Sequence, residues 1–154
     1  MHLSTILPPE AVIAHVSARD KKQVLKLLAG LAAPVTHLSE REIYSVLQER
    51  EQLSCTGIGN GVCIPHGRFE GLKEVRAMFA QLERPVEFNA ADGRPVDLVF
   101  LLMTPASAHT EHLKAIATIS RLLRDKQLCE SLRKAKDAKA LHALLTGERG
   151  LDAA

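Results

Sequence analysis

Apolar positions recur at helical spacing in the first and last thirds of this chain and run almost without interruption through the middle. Leu3 to Leu7 make a short apolar start that Pro8-Pro9 halts. Ser17 is placed to cap a helix beginning near Arg19, on which Val24, Leu27, Leu28 and Leu31 fall at i, i+3, i+4 and i+7. Pro34 is expected to end it, because a proline inside a helix removes a donor and crowds the preceding turn. Ser39-Glu40-Arg41-Glu42 reads as a capping box that opens a helix to about Glu51, with Ile43, Val46 and Leu47 on its buried face. Ser54 to Gly61 reads as loop. Val62 to Pro65 then reads as a short buried strand, with His66 at its C-terminal end.

Val75 to Leu82 is mostly apolar and too short for a typical helix, which predicts a strand. Arg84-Pro85 and Asp92-Gly93 are turn signals around a short Val86–Phe88 segment. Val96 to Met103 is nearly continuously apolar, as expected of a strand covered on both faces, and Thr104-Pro105 closes it. From Thr110 to Arg124, Leu113, Ile116, Ile119 and Leu123 make another helical stripe. Two shorter helices follow, near Gln127–Ala135 and Asp137–Leu145, the second with Asp137 as cap and Gly147 as stop. Together these elements predict a single α/β domain, a mixed parallel and antiparallel sheet flanked by helices on both faces. The short return between Val75 and Met103 requires some antiparallel pairing, since parallel neighbours need a long crossover. The domain is expected to span residues 1–147, with 148–154 a flexible tail.

Composition narrows the function more than the fold. The 154 residues are 46% hydrophobic and 25% charged, which is ordinary for a globular protein. A net charge of +2, 3% aromatics and no tryptophan argue against a stacking platform for single-stranded nucleic acid. Arg121 to Lys139 is locally basic, and reads as a solvated helical surface or a docking face for an acidic partner. Cys55, Cys63 and Cys129 form no C-x-x-C pair and read as free thiols of a reducing compartment. No apolar run approaches the ~20 residues of a membrane span, and no secretory signal opens the chain. The expected location is cytoplasmic, without membrane insertion.

Candidate chemistry concentrates between Arg50 and Arg68. Gly57, Gly59 and Gly61 punctuate the approach to Pro65-His66-Gly67-Arg68. The glycines match neither a dinucleotide fingerprint nor a P-loop. Of seven histidines, His2, His15, His37 and His142 fall at ends, caps or charged surfaces. His109 and His112, three apart at a helix start, could share a face with each other, and free amides there favour an anion. A zinc site built on His66, His109 and His112 lacks an evident fourth group, and His-Thr-Glu-His is not a recognised zinc motif. No Gly-x-Ser-x-Gly elbow supports a serine triad. The chemistry left standing is covalent catalysis by a histidine that carries a phosphoryl group. Arg50, Arg68 and the helix start at His112 are the candidates to hold its oxygens.

The run Glu51, six residues, Ile58-Gly59, Asn60-Gly61, Val62-Cys63-Ile64, Pro65-His66-Gly67 resembles the signature of enzyme IIA of the phosphoenolpyruvate-dependent phosphotransferase system. The likeness is to the mannitol/fructose type, and within it to the nitrogen-regulatory branch. Cys63 departs from the usual alanine, a substitution a small buried residue should tolerate. Pro95-Val96-Asp97-Leu98 and His112-Leu113 extend the likeness along the chain. The resemblance implies that His66 is phosphorylated on Nε2, that Arg50 stabilises the phosphoryl group, and that His112 is a second active-site histidine. It implies no metal and no cofactor. The implied donor is an HPr-like phosphocarrier charged by an enzyme I. The implied role is regulation of potassium transport, kinases or metabolic enzymes by phosphorylation state, which a freestanding chain of this length suits. The alternative is a sugar-transport enzyme IIA that passes phosphate to a separate IIB component. His109 and Arg68 match no residue of the signature.

Overall fold

A computed structural model of the chain describes residues 2–53, 57–90 and 92–147. The expected tail at 148–154, and Cys55, lie outside them. Chain order is α1 (Leu3–Ile6), a 3-10 turn at Pro9–Ala11, β1 (Val12–Val16), α2 (Lys21–Thr36), α3 (Glu40–Leu53), β2 (Gly57–Gly59), β3 (Val62–Cys63) and β4 (His66–Phe69). It continues with β5 (Arg76–Val86), β6 (Val96–Pro105), α4 (His109–Leu123), α5 (Lys126–Lys134) and α6 (Ala138–Thr146).

Among the described residues six strands form one mixed sheet in the order β1-β5-β6-β3-β2, with β4 also on β6. The strand β6 is the axis. It runs antiparallel to β5 and parallel to β3 and β4. Consecutive side chains of a strand point to opposite faces, and Leu98, Val99, Phe100, Leu101, Leu102 and Met103 are each 0% exposed. Both faces of the sheet are therefore covered by helices, as the unbroken apolar run predicts. Phe79 of β5 meets Phe100 of β6 edge-on at 6.1 Å, an arrangement that suits the ring quadrupoles.

Several features differ from the sequence expectation; Arg84-Pro85, read as a turn, lies inside β5. The helix α2 is capped by Asp20, whose carboxylate accepts from the Gln23 amide at 2.9 Å, and not by Ser17. Pro34 lies inside α2. The helix runs only two residues further, so the missing proline N–H removes one bond near its end. The His37 amide still closes onto the Ala33 carbonyl at 2.9 Å, with His37 left-handed at φ 63°.

The strand β1 was not anticipated. It pairs parallel with β5, and its register shifts between Ile13 and Val16. His15 sits in that irregularity at φ 53°, which breaks the alternation a strand would show in the sequence. Gln81 compensates. Only 3% exposed, it accepts from the His15 amide at 3.0 Å and donates to the Leu132 and Ala135 carbonyls at 2.8 and 3.0 Å.

The glycine-rich approach to His66 is likewise no plain loop. β2 and β3 pair antiparallel across Asn60-Gly61, both at positive φ (57° and 79°), which is the signature of a type I′ hairpin. A Cβ on Gly61 would lie 2.6 Å from Arg133 Nη2 and 2.9 Å from Asp97 Oδ1. That crowding marks a three-way clasp. Arg133 donates through Nε to both Asp97 carboxylate oxygens at 3.0 and 2.9 Å, and through Nη2 to the Asn60 carbonyl at 2.5 Å. The clasp fastens the hairpin and α5 to the start of β6.

Gln81→Leu keeps the volume but removes the acceptor of the His15 amide and the side-chain donor to the Leu132 and Ala135 carbonyls, and should cost about 2–3 kcal/mol of stability. Urea unfolding followed by circular dichroism measures this; an unchanged midpoint would show that Gln81 does not hold the β1 irregularity.

Candidate active site

His66 does not end a strand; it begins one. Pro65 has no N–H to give to the ladder, so the line of residues paired with β6 breaks at Ile64–Pro65 into β3 and β4. The register survives the break, with Cys63 opposite Val99 before it and His66 opposite Leu102 after it. The Leu102 amide bridges the gap by donating to the Pro65 carbonyl at 2.9 Å.

The gap fixes the imidazole. His66 Nδ1 lies 2.7 Å from the Ile64 carbonyl oxygen, which can only accept, so Nδ1 carries the proton. In the neutral ring Nε2 is then the lone-pair nitrogen. Arg50 agrees with that assignment, donating from Nη2 to His66 Nε2 at 3.2 Å. Burial pushes the His66 pKa down, and the Arg50 charge pushes the same way; the Ile64 bond and the Glu51 carboxylate oppose them, and the net direction is down. His66 is thus a neutral imidazole at pH 7, with its nucleophilic nitrogen aimed at a guanidinium.

Arg50 reaches the ring from the last turn of α3. The helix is set by Ser39, whose hydroxyl accepts from the Glu42 amide at 3.0 Å, and by Glu51, whose buried carboxylate pairs with Lys21 of α2 at 2.7 Å. It lies close on β4 because Gly67 has no side chain. A Cβ there would come within 2.9 Å of Val46 Cγ1 and 3.3 Å of the Phe69 ring.

His112 comes from the first turns of α4. Its ring centroid lies 5.6 Å from that of His66, with the rings tilted by 52°. Its Nδ1 meets the hydroxyl of buried Thr104 at 2.5 Å. Burial, and then the charges of His66, Arg68, Arg50 and His109, push its pKa down to about 4. The helix N-cap is Ala108, which supplies no side-chain acceptor, so the positive end of α4 stands at the rim.

These groups line one cleft of about 300 Å³, formed by Arg50, His66, Gly67, Arg68, His109, His112 and Leu113. The three residues singled out from the sequence, Arg50, His66 and His112, come together in it. Arg68 and His109 also reach the cleft, but Arg68 donates to the His109 ring and not to His66. Thr104 was read only as the end of a strand; nothing in the sequence pattern marked its hydroxyl. The remaining histidines have other work or lie at the surface: His15 bonds Glu83 and the Lys136 carbonyl, His142 donates to the Leu7 carbonyl, and His37 ends α2. Among the described residues no group of three or more His, Cys, Asp or Glu side chains is placed to hold a metal ion. Nor is any described helix long and apolar enough to cross a membrane. Cys63 is fully buried, which suits its place in the signature.

The architecture is that of a phosphotransferase-system enzyme IIA. The family model for the phosphoenolpyruvate-dependent sugar phosphotransferase system, EIIA 2, matches residues 5–147, and the chain belongs to that family. Within it, the chain is 44% identical over 145 residues to a nitrogen regulatory protein of Bradyrhizobium diazoefficiens, covering 94% of this chain and 95% of the relative. A nitrogen regulatory protein of Klebsiella oxytoca is 37% identical over 148 residues, 95% of this chain and 91% of the relative. The crystal structure of nitrogen regulatory protein IIA-Ntr from Neisseria meningitidis superposes with a TM-score of 0.87 at 34% identity, covering 92% of this chain and 97% of that one.

Two outcomes follow from the geometry. Gly67→Ala should push α3 from β4 at a cost of about 1–3 kcal/mol, seen as a lower melting temperature; an unchanged melting temperature would mean the contact is slack. Acid should act through His112. An unfolded histidine titrates near 6.5 and the folded one near about 4, so between those values the unfolded chain binds the extra proton. Stability from this group is complete above 6.5 and is lost as the pH falls toward 4. His112→Gln should therefore melt with a shallower dependence on pH across that window than the parent; parallel curves would contradict the buried neutral assignment.

Proposed function

We propose that the protein is a nitrogen-regulatory phosphocarrier that accepts a phosphoryl group on His66 Nε2 from the phosphohistidine of an HPr-like carrier, and controls its targets by its phosphorylation state. The observation that carries this reading is the bond from His66 Nδ1 to the Ile64 carbonyl at 2.7 Å, which leaves Nε2 as nucleophile in the cleft.

In the transfer, the Nε2 lone pair attacks the donor's phosphorus in line. A P–N bond forms to His66 as the donor's P–N bond breaks, and that electron pair returns to the donor imidazole. His66 keeps its Nδ1 proton, so the ring gains positive character that the Ile64 carbonyl oxygen stabilises. Catalysis is mostly positioning and electrostatics. Arg50 offers a planar fork matched to phosphoryl oxygens, and His112 offers a second ring nitrogen. No cofactor or metal enters the step. The product carries roughly −1.5 to −2 charge where a neutral ring stood. A partner that reads this cleft therefore meets opposite electrostatics in the two states.

Identity to nitrogen regulatory proteins at 37–44% over nearly the whole chain supports the regulatory branch, with potassium transport, sensor kinases and metabolic enzymes as the target classes. The family's description also names a sugar system, so the competing reading is donation to a IIB component and then to sugar. Sugar-dependent loss of phosphate from the charged protein in the presence of membranes would favour that second reading.

Incubation with enzyme I, carrier and phosphoenolpyruvate should add one phosphoryl mass to the wild type and none to His66→Ala; a mass gain in the variant would overturn the assignment. Arg50→Gln should slow the transfer by about 10²–10³, the usual cost of removing a donor to developing anionic charge. Protonation of Nε2 abolishes the nucleophile, and the His66 pKa lies below the ordinary 6.5. The acceptance rate should stay level from pH 8 to 7 and fall only at a midpoint below 6.5; a midpoint above it would contradict the neutral, buried ring.

A further inference from the structure

Thr104 sits at the back of the cleft, and its one hydroxyl proton has two possible acceptors. The residue is 0% exposed, on β6 opposite Arg68 of β4. Its Oγ1 lies 2.5 Å from His112 Nδ1 and 3.4 Å from the Gly67 carbonyl. The shorter contact is a strong hydrogen bond; the longer is at the limit of one. The proton belongs on the shorter path.

What that proton does decides what His112 can do. At neutral pH His112 is uncharged, and a neutral imidazole has a single N–H. If Nδ1 held it, Nε2 would present a lone pair to the incoming phosphoryl oxygens and repel them. If Nδ1 accepts from Thr104 instead, the ring's proton must be on Nε2, and His112 becomes a donor. A hydroxyl can take either role: giving its proton to the Gly67 carbonyl while accepting from Nδ1–H would set the opposite tautomer, and the 2.5 Å approach to Nδ1 against 3.4 Å to that carbonyl favours donation to the ring. The two histidines are thus set oppositely by their partners: the Ile64 carbonyl leaves His66 with a bare Nε2, while the Thr104 hydroxyl leaves His112 with Nε2–H.

We propose that Thr104 is a positioning residue that holds His112 as the Nε2–H tautomer, so that a neutral histidine donates a hydrogen bond to the phosphoryl group. The inference rests on the phosphocarrier reading for its purpose, but the tautomer itself is a property of the unphosphorylated protein. Thr104 touches no reacting atom and acts through His112. Its strand position is what makes it precise, because β6 is buried without a break from Leu98 to Thr104 and α4 begins shortly after it.

The test is nitrogen-15 NMR of the histidine rings in unphosphorylated protein, combined with phosphoryl-transfer kinetics. Wild type and Thr104→Ser should show His112 with a protonated Nε2 and an unprotonated Nδ1. Thr104→Val, which keeps the shape and loses the hydroxyl, should lose that single-tautomer signature. It should also accept the phosphoryl group more slowly by about 10- to 100-fold, less than the loss of a donor outright, and Thr104→Ser should restore most of the rate. Melting temperatures of both variants separate this from loss of fold. A His112 protonated on Nδ1 in the wild type overturns the proposal, as does a Thr104→Val protein with unchanged rate and tautomer. If the wild type accepts no phosphoryl group while the Nε2–H signature stands, the phosphocarrier reading fails and the tautomer assignment does not.

Discussion

One hydrogen bond organises this molecule: that between His66 Nδ1 and the carbonyl of Ile64. It exists because the strand beside β6 is interrupted for two residues by a proline that cannot donate to the ladder. Had that line continued unbroken, His66 would be an ordinary half-buried strand residue with no fixed tautomer. Because the register resumes unchanged after the gap, the interruption costs little pairing, and it places a carbonyl where a ring nitrogen can reach it. Burial then keeps the ring neutral. On the proposed function the nucleophile is made by position, tautomer and charge state together, and a bare Nε2 needs no base to activate it.

The supporting groups arrive by packing, each tied to a feature remote from the chemistry. Arg50 is delivered by a helix anchored by a buried Glu51–Lys21 pair and allowed close approach by Gly67. The hairpin that links this helix to the histidine strand is clasped to β6 by Arg133 and Asp97. His112 is delivered by the helix that follows β6, so that one strand, through Leu102 and Thr104, references His66 and His112 alike. A shared reference strand explains how residues sixteen and forty-six positions from His66 can hold a geometry tolerant of only small errors.

Much of this was legible in the sequence, and the failures have physical causes. The continuous apolar run of β6 announced a strand covered on both faces, and the capping serine at 39 and aspartate at 137 marked their helices correctly. Arg50, His66 and His112 could be named because their family signature is long. The strand β1 was hidden because a histidine at positive φ breaks its alternation and its irregularity is repaired by Gln81, far away in sequence. Pro34 was over-read, since a proline near a helix end removes only one bond. Asn60-Gly61 carried a hairpin signal that the surrounding glycines masked. Thr104 could not have been found from sequence at all, because its importance lies in which nitrogen of a distant ring its proton reaches.

On the proposed function phosphate is carried on Nε2 of His66, since the Ile64 carbonyl reserves Nδ1. Phosphorus-31 and nitrogen-15 NMR of the phosphorylated, histidine-labelled protein reads the bond directly. The expected result is a phosphorus–nitrogen coupling to Nε2 of His66, with its Nδ1 still protonated. Coupling to Nδ1, or to any other residue, would contradict it.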